Sequence, residues 1–174
     1  MSRGNLDFAI HIEQAQYGDE YRVEQVASNP SAILTRASHP LASGEVSWEQ
    51  LLNYPVIRLY ISDLDQIEIF RSSEAFQRVR SPNQGSLETS HLATALEVLR
   101  TTDYFMPGPA YILQNTSVSN GIIALSIPPG DEYTLDYMLV SHHRTDGSPL
   151  HQWFRAQIKD TLADLQAHAA NPQN

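Results

Sequence analysis

The sequence predicts an α/β fold of two lobes crossed by two strands. Three observations predict it. The first is a pair of matched segments, Ala32-Ile-Leu-Thr-Arg-Ala-Ser-His-Pro-Leu-Ala42 and Asp136-Tyr-Met-Leu-Val-Ser-His-His-Arg-Thr-Asp146, each a short apolar strand running into a basic, polar stop. The second is the strand–helix alternation between them, which reads as a complete α/β unit with mostly parallel pairing. The third is a long helical pattern after the second segment. A chain that leaves on one strand and returns on another divides into two lobes, and the cleft between such lobes is a favoured seat for small molecules.

The elements follow in order. Leu6-Asp7-Phe8-Ala9-Ile10-His11-Ile12 alternates like a strand, and Gly4 before it reads as the end of a helix. Tyr21–Val26 and Ala32–Arg36 read as two further strands, the second closed by His39-Pro40. Ser47-Trp48-Glu49-Gln50 is a capping-box pattern opening a short helix through Leu52. Val56–Tyr60 is a strand, and Ile67, Phe70 and Phe76 could share a helical face within 65–79. A turn at Ser81–Gly85 leads to a brief strand, Ser86–Thr89. Ser90 then caps a helix carrying Leu92, Ala95, Leu96 and Leu99 at helical spacing. Tyr104–Met106 reads as a strand cut by Pro107-Gly108-Pro109, and Ala110 opens another helix. Ile122–Ile127 is a strand, Pro128-Pro129-Gly130 a turn, and Tyr133–His142 the long return strand. Ser148-Pro149 starts the last helix, which the pattern expects to bury Leu150, Trp153, Phe154, Ile158, Leu162 and Leu165.

Composition narrows the function. The formal net charge is −9, and nucleic-acid binders usually carry a basic footprint. The aromatic residues fall within apolar stripes rather than on a basic surface. There is no cysteine, hence no disulfide, thiol nucleophile or cysteine metal site. No apolar run approaches the ~20 residues of a membrane span, and residues 1–7 do not resemble a secretory signal. A cytoplasmic protein with no membrane contact is expected. There is no nucleophile elbow, P-loop, His-Glu-x-x-His or dinucleotide fingerprint. No enzyme activity, cofactor or metal is therefore expected. His142, His143 and His151 invite a metal reading, but adjacent strand residues point to opposite faces. Ser90, His91 and Glu88 could be imagined as a hydrolase set, although neighbours at a helix start seldom attain triad geometry.

Four motifs, in order, resemble the effector-binding (substrate-binding) domain of LysR-type transcriptional regulators. They are Gly4-Asn-Leu-Asp-Phe-Ala-Ile10, Ala37-Ser-His-Pro-Leu-Ala42, Leu87-Glu-Thr-Ser-His-Leu92 with Tyr104-Phe-Met-Pro107, and His142-His-Arg-Thr-Asp-Gly-Ser-Pro-Leu-His-Gln-Trp-Phe-Arg155. The last is most similar to the nodulation and LeuO-like subgroup. The turn Arg100-Thr-Thr-Asp103 lacks the glycine that the family often has there. The resemblance implies a periplasmic-binding-protein-like (type 2) two-lobe fold with its first lobe incomplete and truncated at the N-terminus. Residues 1–36 would be a partial first lobe and 37–136 the second lobe. Residues 137–170 would supply the return strand and C-terminal helix of the first lobe, and 171–174 a frayed tail.

The same resemblance implies a small-molecule effector, of anionic character, bound between the lobes and altering their angle. It also implies a homo-oligomer in the parent regulator, and DNA contact only through a helix-turn-helix that this chain lacks. A solute-binding receptor of a transport system would share the lobed fold. Candidate effector-binding residues are His11 and Ile12, Tyr60 and Ser62, Thr89, Ser90 and His91, and Met106 and Pro107. Strand ends gather ligands in α/β sheets, and a helix start offers free amides to an anion. Ordinary readings compete: Ser90 as a plain cap, the Tyr60–Asp63 stretch as a polar loop, Met106 as core. Thr35 and Arg36 on the outgoing strand, with Val140 and Ser141 on the returning one, are the expected hinge.

Overall fold

A computed structural model describes residues 6–59 and 85–170. The expected helical face within 65–79, the turn at 81–84, Tyr60, Ser62, Gly4 and the tail lie outside these residues. The described chain divides into two compact units. The first contains residues 6–28 and 135–170, and the second contains residues 29–59 and 85–134.

In the first unit, β1 (Phe8–Ile12) pairs antiparallel with the returning strand β7 (Thr134–His142), from Phe8 opposite Ser141 to Ile12 opposite Tyr137. β7 lies between β1 and β2 (Tyr21–Arg36). The sequence suggests two strands where β2 is one, 16 residues long. Its polar middle stays extended because its polar groups find partners: Ser28 Oγ donates to Asp136, and Ser31 N–H donates to Tyr133 O (3.0 Å). A helical pattern absent from both halves leaves nothing to compete with extension.

The last helix of the chain, Pro149–Ala170, departs most from expectation. Leu150, Trp153, Phe154 and Leu165 are exposed rather than buried, and Ile158 and Leu162 are only half-buried. The face that packs inward carries Arg155, which is 8% exposed. Its Nη2 donates to Ser141 Oγ (2.7 Å) and to Asp146 Oδ1 (3.1 Å), and its Nε lies 3.5 Å from Glu24. These polar partners, on β2, β7 and the segment before the helix, draw an arginine inside and rotate the apolar stripe outward.

In the second unit, the end of β2 pairs antiparallel with β5 (Met106–Pro109) on one edge and β6 (Ile122–Leu125) on the other. β3 (Val56–Leu59) and β4 (Ser86–Thr89) form a parallel pair, and Phe105 bridges to Val56. Successive strand residues face opposite sides. Ile33 enters one apolar cluster with Trp48, Leu51, Val56 and Phe105, while Ala32 and Leu34 enter a second with Ile57, Leu96 and Leu99. A strand buried on both faces needs an unbroken apolar run, which is why Ala32-Ile33-Leu34 does not alternate.

Pro107-Gly108-Pro109 was expected to end a strand and is instead part of β5. Two prolines at alternate positions place both missing N–H groups on one edge, so the other edge keeps its ladder. α1 (Trp48–Leu51) begins as expected: Ser47 Oγ accepts the Gln50 N–H (3.3 Å), and Gln50 Oε1 accepts the Ser47 N–H (2.9 Å). α2 spans Leu92–Thr101. A 3-10 turn, Ala110–Gln114, stands where a helix was expected, followed by the short α3 (Thr116–Ser119). The Pro149–Ala170 helix is α4. No helix among the described residues is long and apolar enough to cross a membrane.

Candidate functional site

The second unit concentrates most of the candidate residues. β3 and β4 run parallel, and their last pair is Leu59 with Thr89. Carboxyl ends of parallel strands are where α/β folds receive ligands. Directly after this end come Thr89, half-buried, and Ser90 and His91, both exposed. Thr89 Oγ1 accepts the His91 N–H (3.1 Å). That bond bends the chain one residue later than expected, so the N-cap of α2 is His91 and not Ser90. His91 makes no side-chain cap, and the first amide tied back is that of Ala95, to His91 O (3.1 Å). Helix starts leave their first N–H groups without intrahelical acceptors. The amides of Leu92, Ala93 and Thr94 thus stand beside Ser90 and His91 with the positive end of the helix dipole behind them. This arrangement can hold an anion by hydrogen bonds and field together.

Met106 is 1% exposed and packs in the second apolar cluster, while Pro107 is half-buried on β5. Packing thus accounts for the Met106 side chain. Tyr60 and Ser62 lie outside the described residues. In the first unit, His11 and Ile12 end β1: His11 Nδ1 donates to Ile12 O (2.8 Å), and the ring stacks on Tyr17 (5.7 Å between centroids). The Tyr17 hydroxyl accepts the Gln14 N–H (3.0 Å). Burial pushes the Tyr17 phenol above its ordinary pKa, opposed by the Gln14 bond and aided by Glu13.

The chain passes from the first unit to the second between Ser28 and Asn29 in β2, and returns between Thr134 and Leu135 in β7. Thr35 and Arg36 lie beyond the first passage, and Val140 and Ser141 beyond the second. Arg36 is anchored: its Nε (2.9 Å) and Nη2 (2.6 Å) both donate to Asp103 Oδ1. Thr35 is fully buried, and its hydroxyl has no hydrogen-bond partner. Val140 is buried, and Ser141 accepts from Arg155. Sequence reasoning missed the passage residues themselves. The polar Ser28-Asn29-Pro30 between two apolar halves of β2 was the available signal.

It also missed a cluster around Asp146. This carboxylate accepts from His143 Nδ1 (2.9 Å), Arg155 Nη2 (3.1 Å) and Arg22 Nη1 (3.3 Å). The His143 bond, more than the two arginines, holds its pKa below the ordinary carboxylate value, against some desolvation. His142 accepts the Arg144 N–H (3.1 Å) while His143 turns to Asp146, so the neighbouring imidazoles serve different partners. Among the described residues no three histidine or acidic side chains are grouped for a metal ion.

Comparison with known proteins places these features. No curated protein matches the chain by sequence. A probable transcriptional regulator from Pseudomonas aeruginosa superposes with a TM-score of 0.72 at 18% identity, over 91% of this chain and 51% of its own. This chain therefore spans about half the length of that regulator. The regulatory domain of MexT, a transcriptional activator of the same organism, gives 0.68 at 18% identity, over 91% of this chain and 75% of its own. The effector domain of the P. aeruginosa regulator AmpR gives 0.66 at 17%, over 97% and 78%. At such identities the likeness is one of fold, periplasmic-binding-protein-like (type 2) α/β. The family profile described as LysR substrate binding domain matches residues 1–163, and the chain belongs to that family.

Proposed function

We propose that this chain is the effector-sensing domain of a LysR-type transcriptional regulator and that it takes a small anionic molecule. The family match over residues 1–163 supports the sensing role and favours it over a transport receptor. The uncapped start of α2 at the carboxyl end of β3 and β4 is the observation that carries the anionic character. Thr89, Ser90 and His91 would bind the anion, with His11, Ile12, Tyr60, Ser62 and Pro107 completing the cleft that the family fold implies. The backbone amides supply fixed donors, and His91 adds a positive charge when protonated.

Binding would change the lobe angle through β2 and β7, with Thr35 and Arg36 on one strand and Val140 and Ser141 on the other as hinge anchors. A ligand can act only by favouring one lobe arrangement over the other. In the intact regulator, which would be cytoplasmic, this change would reposition paired DNA-binding domains. Isothermal titration against a panel of small carboxylates and phosphorylated metabolites tests the reading. A hit is expected to lose about tenfold or more in affinity in Ser90→Ala and His91→Ala, since a hydrogen bond to a charged group is worth about 1.5–3 kcal/mol. Binding that is indifferent to both substitutions would place the ligand elsewhere.

A further inference from the structure

The two units are held together by different forces. Both apolar clusters are built from residues of the second unit. Ile33, Leu51 and Phe105 in one, and Leu34, Ile57 and Leu99 in the other, are fully buried. Trp48 joins the first cluster, and its indole N–H donates to Asp131 Oδ2 (2.6 Å). The ends of the unit are tied to each other, since the Ser31 N–H donates to Tyr133 O (3.0 Å). A stretch that closes on itself and buries apolar side chains among its own residues carries the main force of folding within it.

The first unit is built otherwise. Among the described residues its buried apolar side chains, Leu135, Met138, Leu139 and Val140, all come from β7. On α4 the inward position belongs to Arg155, while Leu150, Trp153, Phe154 and Leu165 remain between 46% and 68% exposed. Charges tie the elements instead. Arg155 (3.1 Å) and Arg22 (3.3 Å) reach Asp146, and Lys159 reaches Glu24 (2.8 Å). Arg22, Lys159 and both carboxylates are a quarter or more exposed, so water and salt weaken these pairs. Arg155 Nε and Glu24 Oε2 are buried without a hydrogen bond, which costs stability rather than adding it.

We propose that the two units fold as separate cooperative blocks, and that the first disorders and reorders while the second stays intact. Proteins open in contiguous blocks of unequal stability. Here the weaker block is the one that buries a charge and leaves its apolar stripe in water. The Ser31–Tyr133 bond joins β2 and β7 just inside the second unit, so the first can come apart without parting the ends of the second. The start of α2 at Ser90 and His91 belongs to the second unit and stays formed throughout. The first unit is thus an order–disorder element of the kind that switching proteins use.

The proposal does not rest on the effector reading, and neither does its test. α4 has 22 residues against 10 in α2, so far-UV ellipticity follows mainly the first unit. The chain has two tryptophans, one in each unit. Trp153→Phe, at an exposed site, leaves Trp48 alone, and its emission follows the second unit. In urea the ellipticity of this variant is expected to fall at a lower concentration than the Trp48 emission shifts to the red. Adding Leu139→Ala, at a fully packed position of β7, should lower the ellipticity midpoint by roughly 1 M and leave the Trp48 midpoint in place. If Leu139→Ala stops the first unit from folding at all, ellipticity is low without urea while Trp48 keeps its folded emission and its midpoint, which supports the proposal equally. Leu99→Ala should lower the Trp48 midpoint and draw the two transitions together. Coincident transitions in the Trp153→Phe chain, Trp48 unfolding first, or Leu139→Ala lowering both midpoints alike would each overturn the proposal.

Discussion

Thr35 shows what a single buried group can cost. Its hydroxyl is fully buried in β2 without a hydrogen-bond partner. An unsatisfied buried donor carries its whole desolvation penalty, on the order of 1–3 kcal/mol. Thr35→Val keeps the shape and removes that group, so the stability of the chain is expected to stay level or rise by about 1 kcal/mol in urea unfolding. If the site serves a hinge, the same variant should also alter effector affinity, which titration would read. Asp146 sets a pH dependence. Its carboxylate is held below the ordinary pKa, first by His143 and then by Arg155 and Arg22. A depressed folded-state pKa means that the group contributes stability above its unfolded pKa, near ~4. That contribution fades as pH falls through the lower folded value. Urea midpoints measured down an acid series should therefore fall less steeply in Asp146→Asn than in the wild type, starting from a lower neutral value. Neither residue announces its role in the sequence. Thr35 looks like one more strand former, and Asp146 like a loop acid, because the fold decides which groups reach them, from His143 three residues before Asp146 to Arg22 far along the chain.

Elements divide by how local their causes are. The Ser47 capping box was legible because all its donors and acceptors lie within four residues. The parallel partners β3 and β4 were legible as brief strands next to turn residues, although their pairing was not. β2 was read as two strands because its polar middle depends on Asp136 and Tyr133, more than 100 residues away. α4 was read correctly in extent and wrongly in facing. Helical spacing says which residues share a face, and says nothing of which face is covered. Arg155 won the interior because Ser141 and Asp146 accept from its Nη2 and the Glu24 carboxylate lies 3.5 Å from its Nε, an ion-pair contact without a hydrogen bond. Ile33 belongs to this scale too, since it fills the first cluster beside Trp48, Leu51 and Phe105. Ile33→Ala is expected to cost about 2–5 kcal/mol, because the strand is held from both edges and cannot collapse into the void. Chemical denaturation of the folded variant gives the number.

At the level of the whole molecule the two described units each have their own strands. The chain links them through β2 and β7, and Ser28–Asp136 and Ser31–Tyr133 tie these strands together on either side of the passages. A ligand that binds only the folded chain raises its apparent stability by mass action, about 2.7 kcal/mol at a hundredfold excess over Kd. An effector found by titration should therefore raise the melting temperature in a concentration-dependent way, and Ser90→Ala with His91→Ala should reduce that rise at fixed ligand. The sequence by itself determined the α/β class, the order of most elements and the family. Those follow from periodicity, turn chemistry and short motifs, whose causes are local. Only the tertiary structure decided that β2 is continuous and that Arg155 and not the aromatic stripe lies inside. These depend on which groups, far apart in the chain, find partners across the sheet, and burial follows the partner rather than the pattern.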